Sequence, residues 1–143
     1  MTTIAWDGKT LAGDKQSTSG NTPTVTVKVA KIKRGKEVYL VGFCGRLADG
    51  QAFFRFVERD FQDAPPINDL SAMVIKRDGT VTTYSDVNAN PCALGKLDYW
   101  AVGSGSDYAL GAMAFGATAE QAIEVATKLD IYTGMGIDTV SFS

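Results

Sequence analysis

Two of the chain's three Asp-Gly dipeptides, Asp7-Gly8 and Asp78-Gly79, each lie between short runs of strand-forming residues, and that arrangement commits much of the chain to antiparallel hairpins. Asp-Gly readily supplies the positive φ angles that a two-residue hairpin turn demands. The first turn joins Thr2–Ala5 to Thr10–Asp14, and the second joins Ala72–Ile75 to Thr80–Tyr84. After the polar stretch Ser17–Pro23, alternation at Val25, Val27 and Val29 leads into a third hairpin, Lys31–Arg34 and Glu37–Phe43 about Gly35. An Asn-rich segment carrying Pro91 reads as a loop, and Tyr99–Val102 and Ile137–Phe142 as further strands.

Helical spacing occurs in three places. Phe53, Phe54, Val57 and Phe61 recur at helical intervals behind Asp49, a candidate cap, and Pro65-Pro66 sets the latest end of that helix. Asp107–Ala117 forms a second, broken at Gly116, and Thr118-Ala119-Glu120-Gln121 is a capping box opening a third over Ala122, Ile123, Val125, Ala126 and Leu129. Strands, one helix, strands, two helices and a strand predict sheets packed together with helices outside. At 143 residues the chain is expected to form one domain, residues 1–143, without disulfide or metal staples.

Composition removes several function classes. A net charge of −2 and a pI near 5.0 argue against a general nucleic-acid binder. The local basic run Lys28, Lys31, Lys33, Arg34 and Lys36 reads by itself as a solvated strand edge. Cys44 and Cys92 lie far apart with no Cys/His cluster, which points to reduced thiols and no metal site. No apolar run has the length of a membrane span and no signal peptide is seen, so a cytoplasmic protein is expected.

The chain contains no histidine, and Thr2 directly follows Met1. A hydroxyl needs a base to act as a nucleophile, and without imidazole the α-amine of Thr2 itself is the attractive one. Its ordinary pKa of about 7.7–8.0 leaves a useful unprotonated fraction near neutral pH, once Met1 is removed.

Around Thr2-Thr3-Ile4 further motifs fall in order: Ala12-Gly13-Asp14, Ser19-Gly20-Asn21-Thr22, Lys31, Gly42-Phe43-Cys44-Gly45, Ala48-Asp49, Gly103-Ser104-Gly105 and Asp130-Ile131-Tyr132-Thr133-Gly134. In this set and order the chain resembles, nearly end to end, proteasome β-subunits and the related bacterial heat-shock peptidase, which are N-terminal-nucleophile hydrolases. The resemblance implies an α+β fold, a four-layer α/β/β/α sandwich of antiparallel sheets. It implies a threonine-type peptidase with no cofactor, acting on peptides or unfolded proteins. Carried over, Thr2 is the nucleophile, Lys31 the adjacent ammonium, Asp14 its carboxylate partner and Gly45 the oxyanion donor. Ser104, Asp130 and Thr133 position the α-amine, with Thr133 standing where the family usually has serine. Phe43 and Val29 shape the specificity pocket.

One departure concerns the stretch between Phe61 and Met73, too short for the family's second helix. That helix pair faces the outer ring or the unfolding ATPase, so docking of an ATPase partner is placed in question. Phe53, Phe54, Phe56 and Phe61 would then need cover from the shortened loop or from a neighbouring subunit. A homo-oligomer, a ring being one arrangement, is expected, with no nucleic acid or membrane partner. A non-catalytic assembly subunit retaining Met1 is the alternative. A phosphate-cradling role for Gly103-Ser104-Gly105 is disfavoured, because the third fingerprint glycine and any Gly-Lys-Ser/Thr are missing.

Overall fold

The computed structural model describes residues 2–19, 22–85 and 90–143. Met1, Gly20, Asn21 and part of the Asn-rich segment, named above, lie outside the described residues. The Asp7-Gly8 turn joins β1 (Thr3–Trp6) to β2 (Thr10–Asp14) as expected, and Asp7 holds it by accepting from the backbone N–H groups of Lys9 and Thr10. The polar stretch that follows is itself a hairpin, β3 (Gln16–Ser19) with β4 (Thr22–Val25), whose second strand is fully exposed. Its sequence carries no apolar face, so periodicity could not reveal it.

The Gly35 and Asp78-Gly79 turns build the larger sheet. It runs β5 (Val29–Arg34), β6 (Glu37–Gly45), β7 (Leu70–Lys76), β8 (Thr80–Ser85) and β9 (Asn90–Lys96), each pairing antiparallel with the next. β9 corrects the loop expected there. Pro91 lacks a backbone donor, but β9 is an edge strand, where one missing ladder bond is tolerated. The second sheet has the order β10-β1-β2-β11, with β10 (Trp100–Gly103) and β11 (Ile137–Ser141) flanking the first hairpin.

Three helices complete the described structure: α1 (Leu47–Glu58), α2 (Ser106–Ala114) and α3 (Ala119–Leu129). The capping box of α3 forms in full, Gln121 N–H donating to Thr118 Oγ1 at 3.2 Å and Thr118 N–H to Gln121 Oε1 at 2.9 Å. Asp49 does not cap α1. It lies inside the first turn, buried, and accepts from the N–H groups of Asn68 and Asp69, tying down the loop that returns to β7.

Side chains divide into three apolar clusters. Ile4, Trp6 and Leu11 from one sheet meet Val29, Leu40, Met73, Ile75 and Val81 from the other. On the first sheet, Ala5, Ala12 and Ala101 pack with Ala109 and Met113 of α2 and Ala122 and Ile123 of α3; small residues here permit close helix approach. On the larger sheet, Tyr39, Val41, Phe43 and Val74 pack with Phe53, Phe56 and Val57 of α1. The structure is thus mixed α+β with antiparallel sheets.

No helix occupies residues 59–69, as the short spacing predicted. Phe61 lies past the end of α1 with φ 60°, and the loop folds its ring back between Phe56, Tyr39 and Tyr84 at centroid separations of 5.5, 5.4 and 6.0 Å. Ile67, buried, closes the same cluster, so the shortened loop itself covers the α1 aromatics.

Candidate active site

The β1–β2 register, Ile4 opposite Gly13, sets Thr2 beside Asp14 at one end of the sheet. Both are buried, and Asp14 is saturated with donors. Its Oδ1 accepts from the Thr2 hydroxyl, from Thr3 N–H at 3.1 Å and from Lys28 Nζ at 3.0 Å; its Oδ2 accepts from Gln16 N–H at 3.3 Å and Gly134 N–H at 3.0 Å. Such satisfaction is what permits a carboxylate to be ionised inside a protein. Lys28 donates to the Thr2 hydroxyl as well as to Asp14, at 4% exposure. Burial draws the Lys28 ammonium below its ordinary pKa of 10.5, against the opposing charge and hydrogen bond of Asp14.

The lysine at Thr2 is therefore Lys28, and the expectation of Lys31 is corrected. Lys31 is exposed on β5, with Nζ donating to the carbonyl of Phe142 at 3.3 Å. In extended chain, residues an odd number apart point to opposite sides, and three residues span about 10 Å, so only one of the two can reach Thr2. A legible signal existed. Lys31 and Lys33 flank the buried Ile32 as solvent-facing residues of an alternating strand, whereas Lys28 stands apart from that run, between Val27 and Val29.

Ser104, Asp130 and Thr133 do come together, on the backbone side of Thr2. Thr2 N–H donates to Ser104 Oγ at 3.1 Å, and Ser104 Oγ donates to Asp130 Oδ2 at 2.5 Å. Thr133 Oγ1 donates to the same oxygen at 2.6 Å and lies 2.8 Å from Thr3 Oγ1, which adds Thr3 to the network. Asp130 follows directly on the last turn of α3, which fixes its backbone. Burial opposes its ionisation, but hydrogen bonds from Ser104, Thr133 and the Tyr132 N–H outweigh this and hold its carboxyl below the usual range.

Glycines admit this proximity. Gly103 has φ 107°, and a Cβ there would lie 2.0 Å from the Thr2 carbonyl oxygen; one on Gly105 would lie 2.2 Å from Thr3 Oγ1. Gly45, at the end of β6, has φ 116°, and a Cβ there would clash with the Asp69 carbonyl.

Gly45 and Lys28 line a cleft of about 450 Å³ whose other walls include Thr26, Phe43, Arg46 and Leu47. Phe43 lines this cleft, its ring edge-on to Phe54 at 5.2 Å. Val29 is not. It is buried between the sheets beside Ile4, because it lies one residue beyond Lys28 and faces the other way. Thr26, on the Lys28 side of that alternation, lines the cleft.

The chain matches Trypanosoma brucei HslV at a TM-score of 0.71 and 18% identity, over 97% of each chain. It matches Thiobacillus denitrificans BPH in complex with epoxomicin at 0.68 and 17%, over 99% of this chain and 98% of that one. The fold is that of the HslV- and proteasome-like peptidases. A Gly-1 mutant of Anbu from a Hyphomicrobium strain also matches, at 0.73 and 12%, over 100% of this chain and 82% of the other. No family model and no curated protein matches the sequence.

Proposed function

We propose that residues 1–143 form a four-layer α/β/β/α unit with a threonine-type peptidase site, active once Thr2 carries a free α-amine. The observation that supports this best is the contact of a buried lysine with the Thr2 hydroxyl, while the Thr2 nitrogen engages Ser104. The two atoms that must react are thus held by separate networks.

In this reading the α-amine takes the proton of Thr2 Oγ1 as that oxygen attacks a peptide carbonyl carbon. Lys28 stabilises the developing negative charge on Oγ1, and its own charge lowers the proton affinity of the amine. The Gly45 N–H serves the carbonyl oxygen of the tetrahedral intermediate, a donor worth about 2.7–4 kcal/mol in such sites. The C–N bond then breaks, and the leaving nitrogen takes the proton held by the α-amine. Water, deprotonated by the same amine, attacks the resulting ester and restores Thr2 with release of the acid. Asp14 keeps Lys28 charged and oriented, and Ser104, Asp130 and Thr133 hold the amine. The substrate side chain before the scissile bond enters the cleft over Phe43.

The protein is proposed to act on peptides or unfolded chains in the cytoplasm as a homo-oligomer. Anbu from Pseudomonas aeruginosa, a matched structure, is described as a helical assembly. With residues 59–69 forming a loop, the face that would meet an ATPase partner is reduced.

Intact mass spectrometry of protein processed to Thr2, before and after a peptide epoxyketone, tests the reading. One adduct is expected on Thr2, absent from Thr2→Ala. An adduct that persists in Thr2→Ala overturns the assignment, and no adduct on protein with a proven free amine favours a non-catalytic assembly subunit.

A further inference from the structure

Two cavities meet at Gly45. The 450 Å³ cleft lies on the Lys28 side, and a second of about 360 Å³ is lined by Cys44, Gly45, Asp69, Ser71, Gly103 and Ser104. They share Gly45 and Asp69 alone. Resting on the peptidase reading above, an acyl group held against Gly45 with its side chain over Phe43 leaves the second cavity for the departing half of the substrate. That cavity borders Ser104, the residue bonded to the nitrogen that hands the proton to the leaving amine.

The charges lining the two cavities differ. Lys28, Arg46 and Asp69 line the first, whereas Asp69 is the sole charged residue among the described residues lining the second. Asp69 is exposed, and its structural bonds run through its backbone: its carbonyl accepts from Arg46 N–H at 3.1 Å, and its N–H donates to Asp49 Oδ2 at 2.9 Å. Its position is set by the short loop where a second helix was missing, pinned by buried Asp49. Asp69 is exposed and borders both cavities, which leaves its carboxylate open to solvent there. We propose that Asp69 reads the leaving-group side of the substrate and selects peptides with Lys or Arg directly after the scissile bond over those with Asp or Glu.

A solvent-accessible ion pair gives a modest preference that salt weakens. The test is digestion of an unfolded protein pool by protein processed to Thr2, with cleavage sites mapped by mass spectrometry at low and high salt. The same preparations are labelled with a peptide epoxyketone, which carries nothing on the leaving side. In the wild-type protein, Lys and Arg after the cut are expected about fivefold enriched over Asp and Glu at low salt, and less at high salt. Asp69→Asn is expected to flatten this ratio, and Asp69→Lys to reverse it. Thr2 labelling with a flat ratio, with a ratio unmoved in Asp69→Asn, or with no cleavage overturns the inference while leaving Thr2 as nucleophile. Loss of both labelling and cleavage in the wild-type protein overturns the inference together with the peptidase reading.

Discussion

Thr2, Asp14 and Lys28 of the polar cluster and Phe53 and Phe56 of the ring cluster beneath α1 are all buried, yet the two clusters are held by opposite means. Around Thr2 each buried atom answers a particular partner, with five donors on Asp14 alone. Beneath α1, Tyr39, Phe53, Phe56, Phe61 and Tyr84 meet at centroid separations of 5.0 to 6.3 Å, with faces and edges fitted together. Removing Lys28 or Asp14 from the first cluster strands a charge, whereas removing one ring of the second leaves a space that neighbours can partly fill. The first region fixes residue identity and the second fixes mainly volume.

Lys28→Ala puts the sharpest strain on that contrast. It leaves Asp14 buried without its counter-charge, so a loss of about 3–5 kcal/mol is expected in denaturant unfolding. Epoxyketone labelling of Thr2 should fall by about 10²-fold or more in the protein that remains folded. Adding Asp14→Asn should recover part of the stability and none of the labelling. Full labelling in Lys28→Ala would show that the two networks on Thr2 are not both required. Phe53→Ala is expected to cost a similar amount, about 3–5 kcal/mol. Here, however, Phe53→Leu should restore most of the stability, and labelling per folded molecule should stay near the wild-type value. An intolerant ring cluster, with Leu no better than Ala, would erase the distinction drawn between the regions.

How far the sequence reveals each region follows from the same difference. Turn chemistry and period expose the three helices and every strand but β3, β4 and β9, and the structure brings Asp14, Ser104, Asp130 and Thr133 together around Thr2 and Thr3. A lysine in a basic run does not identify itself, because Lys28 and Lys31 both satisfy the pattern and only side-chain direction decides between them. Val29 failed for the same reason, since a shift in register reverses which residues face the cleft. The ring cluster was visible as surplus aromatics, but not its closure by Phe61, which depends on a positive φ just beyond the helix. The β3–β4 hairpin had no burial pattern to betray it.

A smaller effect separates the two networks within the polar region. Asp130 is held below the ordinary carboxylate pKa of about 3.9, so the folded state favours its ionised form. The stability this contributes is complete above the ordinary value and is lost as pH falls through the folded one. In acid titration followed by circular dichroism, Asp130→Asn should start less stable and decline less steeply below about pH 4 than the wild-type protein. Parallel acid curves would mean that Ser104 and Thr133 do not favour its charge.

Lys31→Ala should have the least effect, and for that reason it isolates geometry from charge. It removes the same ammonium as Lys28→Ala, three positions along the chain, but from a solvated site whose partner is the carbonyl of Phe142 at 3.3 Å. An exposed contact of this kind changes stability by no more than about 0.5 kcal/mol. Thr2 labelling should match the wild-type rate at moderate salt, where Lys31 is screened from the site. A large loss in Lys31→Ala with little in Lys28→Ala would move the functional lysine back onto β5, and would require Thr2 to be served from the other side of that strand.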